Sequence, residues 1–213
     1  MRPGAWLTAL LASATLAILS APWALDQPAL NLVFKPLATV IVIAYAWGRG
    51  TGAARPWVLA GLLFSLVGDI ALLWPQQGFL PGLVAFLIAH LAYLVAFTRS
   101  ERFAARIAPF VVYAVVAGAI LALLWPGVPA ALRIPVMAYV VCLAAMAAQA
   151  AVLWRGGVPL GAVLAAGGAL FVASDALLAT NRFAAPLPAA SLWILATYWA
   201  AQWCIASWLE RRR

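Results

Sequence analysis

Residues 57–74 read WVLAGLLFSLVGDIALLW, an apolar run whose one charged residue is Asp69. A membrane-spanning helix needs about 20 predominantly apolar residues, because it rises about 1.5 Å per residue through a hydrocarbon core about 30 Å thick. The stretch has that size. Its apolar residues are continuous rather than alternating, so a helix is expected and a transmembrane β-strand is not. A carboxylate near mid-membrane costs about 3 kcal/mol even on a lenient insertion scale. Asp69 therefore asks for a reason to be there.

Working outward, runs of the same kind recur at 5–24, 29–47, 79–97, 106–125, 132–153, 159–180 and 188–209. The gaps are short and rich in Pro, Gly and Arg, which leaves residues 1–213 as a single transmembrane helical domain. Composition agrees: 68% of the 213 residues are hydrophobic and 8% charged, against about 25% charged in soluble domains. The mean hydropathy is +1.06. The expected fold is all-α, a polytopic membrane helix bundle of about eight transmembrane helices.

The net charge of +8 would suggest nucleic acid in a soluble protein. Here the placement of the bases sets topology instead, and no nucleic-acid partner is expected. One side collects Arg2, Arg49, Arg55, Arg99, Arg102, Arg106, Arg155 and Arg211 to Arg213, whereas the other has only Arg133 and Arg182. Both termini are therefore expected to be cytoplasmic, and an even number of spans fits a common side for the two. Arg2 ahead of an apolar run, with Leu19, Ser20 and Ala21 behind it, also has the outline of a signal peptide. The cleavage site is poor, however, and the chain runs straight on into further spans. Tryptophans such as Trp6, Trp23, Trp47, Trp57, Trp74, Trp125, Trp154 and Trp208 fall near span ends and read as an interfacial belt.

Charged or imidazole side chains well inside the spans are few, Lys35, Asp69, His90 and Asp175, while Tyr198 and Gln202 share one face of the eighth. The helical rise puts Asp69, Asp175 and Lys35 at a similar level toward the outer side, with His90 and Tyr198 near mid-membrane. Such a layer could line one cavity. Gly61, Ser65 and Gly68 form a small-residue stripe beside Asp69, and Gly161 and Gly168 are in heptad register with Asp175, as suits close helix contacts. Phe86, His90, Tyr93 and Phe97 make one stripe on the fourth span. Gly61 and Asp69 are eight residues apart, as are Gly167 and Asp175, which fits a parallel four-plus-four repeat.

Each residue also has a plain structural reading. An aspartate can cap backbone or pair with Lys35, Lys35 can snorkel to the interface, His90 can be a satisfied core histidine, and Asn181 and Arg182 can be interfacial anchors. Cys142 and Cys204 read as small buried hydrophobes. One His and two Cys argue against zinc or haem, although carboxylate-bound Mg²⁺ or Ca²⁺ stays open. No cofactor is expected.

The segment Gly61-Leu-Leu-Phe-Ser-Leu-Val-Gly-Asp69 resembles the pattern of the YhhN family, whose characterised members are lysoplasmalogenases. Lys35-Pro36, the Phe86 to His90 to Tyr93 stripe, Phe171-Val-Ala-Ser174-Asp175 with Asn181-Arg182-Phe183, and Tyr198 with Gln202 follow in order over roughly residues 30 to 205. The resemblance implies hydrolysis of the vinyl ether of a lysoplasmalogen to a fatty aldehyde and a glycerophospho-base, at a bacterial inner (cytoplasmic) membrane. That reaction proceeds by protonation of the β-carbon and capture of an oxocarbenium ion by water, so it needs one acid and one nearby anion, as glycosidases do. Asp69 and Asp175 are the expected pair. His90 and Tyr198 are then candidates to orient or relay. Gln202, Ser65, Tyr93, Asn181, Arg182 and Lys35 are candidate substrate contacts, with Lys35 and Arg182 toward the phosphate. Expected partners are a lysophospholipid substrate and membrane lipids. The competing reading is a proton-coupled transporter of lipid or another small molecule that uses the same acids.

Overall fold

A computed structural model describes residues 3–50 and 52–209, so the expectations resting on Arg2 and Arg211 to Arg213 lie outside the described residues. Among the described residues eight α-helices follow in order: α1 Pro3–Leu19, α2 Pro28–Trp47, α3 Arg55–Ala71, α4 Phe79–Thr98, α5 Ile107–Leu124, α6 Arg133–Arg155, α7 Gly161–Phe183 and α8 Ala190–Trp208. Two short 3₁₀ turns, Trp125–Gly127 and Ala130–Leu132, join α5 to α6.

The eight expected spans coincide with these helices apart from their ends. α1 stops at Leu19 rather than 24, because Pro22 disfavours helix at the residue before it and residues 20–25 turn instead. Proline opens α2 at Pro28 and α3 at Pro56, positions where a missing N–H costs nothing. α2 and α6 both end in glycine, and Gly50 and Gly157 then adopt φ of +62° and +75°, which reverse the chain into the next helix. Among the described residues five helical segments are long and apolar enough to cross a membrane: Pro28–Trp47, Phe79–Thr98, Ile107–Gly127, Ala130–Arg155 and Gly161–Phe183. α1 and α3 have 17 residues each, about 26 Å at 1.5 Å per residue, slightly short of the hydrocarbon core.

Successive helices run antiparallel, and contacts between connections fix two faces. On one face Trp23 Nε1 donates to Ser191 Oγ (2.7 Å), and the α5–α6 turn at Gly127 lies against Phe183 so closely that a Cβ would meet its carbonyl. On the opposite face Arg49 donates to the carbonyls of Ser207 and Leu209, and Gln149 Nε2 donates to the carbonyl of Glu101. Arg49, Arg55, Arg99, Arg102, Arg106 and Arg155 belong to this second face; Arg133 and Arg182 belong to the first.

The polarity is inside-out relative to a soluble protein. Leu11, Val67, Val115, Leu123, Ile134 and Val141 are exposed, whereas Lys35, Thr39, Ser65, Asp69, His90, Gln149, Ser174 and Gln202 are buried. An apolar exterior around a polar interior suits lipid as solvent. The protein is an integral membrane helical bundle. One member of the expected tryptophan belt departs from it: Trp208 is buried with its ring edge-to-face against Phe97 at 5.5 Å.

The two halves pack alike. α1 lies on α2, α2 on α3 and α3 on α4; α5 lies on α6, α6 on α7 and α7 on α8. Across the halves α4 meets α6, and α8 correspondingly meets α2. Asp69 and Asp175 are each the fifteenth residue of their helices. These correspondences are the ones a parallel repeat about an axis along the membrane normal would produce, while α1 also meets α8 and α5 meets α7 without a comparable counterpart.

Candidate active site

The stripe of small residues on α3 determines how Asp69 is placed. A Cβ on Gly61 would collide with the Tyr93 ring and one on Gly68 with the Phe86 ring, so α4 lays its aromatic stripe directly on the α3 backbone. Phe86, His90, Tyr93 and Phe97 are all buried. Asp69, next to Gly68, is thereby carried into the interior, where it is 2% exposed.

Asp69 Oδ2 accepts hydrogen bonds from Thr39 Oγ1 of α2 (2.5 Å) and from Tyr198 OH of α8 (2.8 Å). Trp199 Nε1 donates to Thr39 Oγ1 at 3.2 Å, so the carboxyl sits in a network drawn from three helices. Lys35 lies one turn before Thr39, buried and within electrostatic reach of Asp69. Its side chain is buried, and its charge bears on Asp69 without a hydrogen bond between them among the described residues.

Asp175 has different surroundings. Its Oδ2 accepts from Tyr139 OH of α6 at 2.7 Å. Asp175 and Tyr139 line an apolar cavity of about 100 Å³ between α4, α5, α6 and α7, with Phe86, Leu121, Leu143 and Phe183 among its walls. Asp69 does not line it. The single cavity expected for both acids is therefore not what forms: one carboxyl is sealed by hydrogen bonds and the other faces open space. The reason is the bulk of the aromatic residues that meet between them.

Those residues link the two acids through a chain of edge-to-face rings. His90 meets Tyr139 at 5.2 Å and Phe171 at 4.7 Å; Phe171 meets Tyr198 at 5.6 Å; Phe86 meets Tyr198 at 5.7 Å. His90 is fully buried, yet neither Nδ1 nor Nε2 has a hydrogen-bond partner. Gln202, one turn beyond Tyr198, accepts from Tyr93 OH at 2.7 Å while its Nε2 is unpartnered. Tyr93 OH also lies 3.5 Å from Ser65 Oγ. Buried polar atoms are nearly always satisfied, so His90 and Gln202 call for a polar partner that the protein itself does not provide.

Two expected contacts lie at the surface. Asn181 Oδ1 accepts from the Leu187 N–H at 2.9 Å and so ties down the α7–α8 connection. Arg182 is exposed, with its guanidinium 5.0 Å from the centre of the Phe79 ring. Thr39 and Tyr139, the direct partners of the two acids, were missed by the sequence reading. Thr39 shares a face with Lys35 four residues earlier, a signal that could have found it. Tyr139 has no comparable marker in its apolar helix.

Fold and interior together define a class: a polytopic membrane protein with two tyrosine-held carboxyls in its interior, one of them at an apolar cavity, the equipment of an enzyme or carrier acting within the bilayer. The chain belongs to the YhhN family, whose model matches residues 30–209. It is 36% identical over 171 residues to the human protein named Lysoplasmalogenase TMEM86B, covering 79% of this chain and 70% of that protein. The corresponding pig protein is 38% identical over 184 residues, covering 83% and 74%. A Mycobacterium tuberculosis protein named Lysoplasmalogenase is 34% identical over 172 residues, covering 75% of this chain and 61% of that one. No solved structure matches.

Proposed function

We propose that this chain is a membrane lysoplasmalogenase, which hydrolyses the vinyl ether bond of a lysoplasmalogen to a fatty aldehyde and a glycerophospho-base. The observation that carries the reading is the match to proteins of that name over the helices that hold both acids. The chemistry needs what the interior offers. One carboxyl gives its proton to the β-carbon of the vinyl ether, leaving an oxocarbenium ion. The second carboxylate stabilises that cation electrostatically, an interaction strengthened where water is excluded. Water then adds to the cationic carbon and releases a proton to a base. The hemiacetal collapses to the aldehyde and the glycerol hydroxyl, with the proton relayed between the two oxygens. Asp69 and Asp175 serve as the acid and anion, Tyr198 and Tyr139 hold them, and His90, in ring contact with Tyr139, and Gln202 orient this network from behind the cavity wall.

The arginine-poor face is the outer one by the positive-inside rule, and the membrane is the bacterial cytoplasmic membrane. The substrate is a lysophospholipid that arrives laterally from the bilayer. The test is aldehyde release from a 1-alkenyl lysophospholipid by protein purified in detergent, without any gradient. Wild-type protein should turn over, and Asp69→Asn and Asp175→Asn should each lower the rate at least a hundredfold, about 2.7 kcal/mol of transition-state stabilisation. Near-normal activity in either variant would sink the assignment of that acid.

A further inference from the structure

One end of the apolar cavity is walled by residues of the arginine-poor face, and both arginines of that face stand near that end. Phe79 begins α4 and Phe183 ends α7; they meet edge-to-face at 5.6 Å, and both line the cavity. Arg182 rests on Phe79. The α5–α6 turn packs against Phe183 at Gly127 and supplies Leu124 and Val128 to the cavity wall. Arg133 follows at the start of α6, with its guanidinium 5.2 Å from the centre of the Trp125 ring. Both arginines are exposed, and neither makes a side-chain hydrogen bond to another described residue. Two guanidinium groups, each standing on an aromatic ring and neither hydrogen-bonded to a described carboxylate, stand near the Phe79 and Phe183 end of a cavity whose lining includes Asp175 and Tyr139.

We propose that Arg133 and Arg182 form a phosphate clamp at the mouth of this cavity, that the vinyl ether and the first methylenes of the lysophospholipid enter it, and that Asp175 is the carboxyl that faces the substrate. The proposal rests on the lysoplasmalogenase reading. Spacing supports it. Asp175 precedes Arg182 by seven residues on α7 and Tyr139 follows Arg133 by six on α6, which places the acid and its tyrosine about 9 to 11 Å below the two arginine backbones. In a 1-alkenyl glycerophospholipid, seven bonds separate the phosphorus from the carbon that takes the proton, roughly 9 Å when extended. A phosphate held at the rim therefore delivers that carbon to Asp175. The remaining chain leaves toward lipid past α5, where Pro109 and Leu124 are the only buried residues. Guanidinium groups suit this anion because they offer paired donors.

The test compares a 1-alkenyl-glycerophosphocholine with the phosphate-free 1-alkenylglycerol on purified protein. Arg133→Ala and Arg182→Ala should each raise KM for the phospholipid about tenfold or more, with kcat and thermal stability held and cleavage of the alkenylglycerol unchanged. Equal losses on both substrates, or no loss on either, overturn the clamp. Ala179→Leu, which fills the cavity between clamp and acid, should depress both substrates alike; an unaffected variant overturns the cavity assignment. If wild-type protein cleaves neither lipid, the enzymatic reading fails. Binding of a non-hydrolysable 1-alkyl-lysophosphocholine then judges the clamp alone: about tenfold weaker binding in the arginine variants upholds it, and unchanged binding overturns it.

Discussion

Tyr139→Phe is the narrowest perturbation of the open acid. It removes one hydroxyl and keeps the ring that lines the cavity and meets His90 at 5.2 Å. The lost interaction is the 2.7 Å hydrogen bond to Asp175 Oδ2, the one that the structure gives that carboxyl. Hydrogen bonds to charged groups contribute about 1.5 to 3 kcal/mol. If that contribution is expressed in the transition state, kcat falls about tenfold to 150-fold, at 1.36 kcal/mol per factor of ten. KM should change little, because the tyrosine hydroxyl holds Asp175 and not the lipid. Steady-state aldehyde release reads the effect. Tyr45→Phe serves as control, since it deletes a comparable hydroxyl contact, to Ser207 at 3.2 Å, at the arginine-rich end of α2. Wild-type turnover in Tyr139→Phe, or an equal loss in the control, would refute the claim that this hydrogen bond positions a catalytic carboxyl.

Three further outcomes follow from the packing. Gly61→Val should lower thermal stability in detergent by about 1 to 3 kcal/mol, because the Tyr93 ring occupies the space its side chain would need; unchanged melting would mean that α3 and α4 are less close. Thr39→Val and Tyr198→Phe both remove a donor to Asp69 Oδ2, so their effects on activity should be non-additive by about 0.5 to 3 kcal/mol in a double-mutant cycle, whereas strict additivity would argue that the donors act independently. His90→Phe breaks no protein hydrogen bond, since both ring nitrogens lack partners. It should keep stability within about 1 kcal/mol while losing more than tenfold in kcat, and full activity would remove His90 from the machinery.

The spans were readable because each is a continuous apolar run, and the helices differ from them only at their ends. The facing of α4 was readable too, since His90 within the Phe86 to Phe97 stripe makes a lipid-facing orientation expensive, and all four residues are indeed buried. The fate of Lys35 was not. A lysine next to a proline satisfies the snorkelling pattern equally well, and its burial depends on how α2 packs against other helices. The same holds for Thr39 and Tyr139, which matter through what they touch and have no local pattern of their own. The separation of the two acids was invisible for a related reason. Depth can be counted along a helix, but whether two side chains share a cavity depends on the bulk of the rings between them.

The matching positions of the two acids in their helices bear on how such a site can divide its labour. Asp69 and Asp175 hold the same position in α3 and α7, and each takes a donor from the helix before its own: Thr39 from α2 and Tyr139 from α6. The surroundings then diverge. Around Asp69 the first half adds Lys35, and α8 adds Tyr198, so that carboxyl lies among donors and a cation and is closed off. Around Asp175 there is one hydroxyl and an apolar cavity, with His90 of α4 beyond Tyr139. A carboxyl immobilised among donors is the natural anion of the pair, and one at the wall of an open cavity is the natural deliverer of a proton. Two carboxyls with different environments are what general-acid cleavage through an oxocarbenium ion requires. On this view the two Asn variants should fail differently. Asp175→Asn should abolish proton delivery, whereas a smaller, better ionised anion analogue supplied in solution cannot rescue Asp69→Asn, because the space around Asp69 is closed. Rescue of Asp69→Asn by added formate, at the concentration that leaves Asp175→Asn inactive, would reverse the assignment.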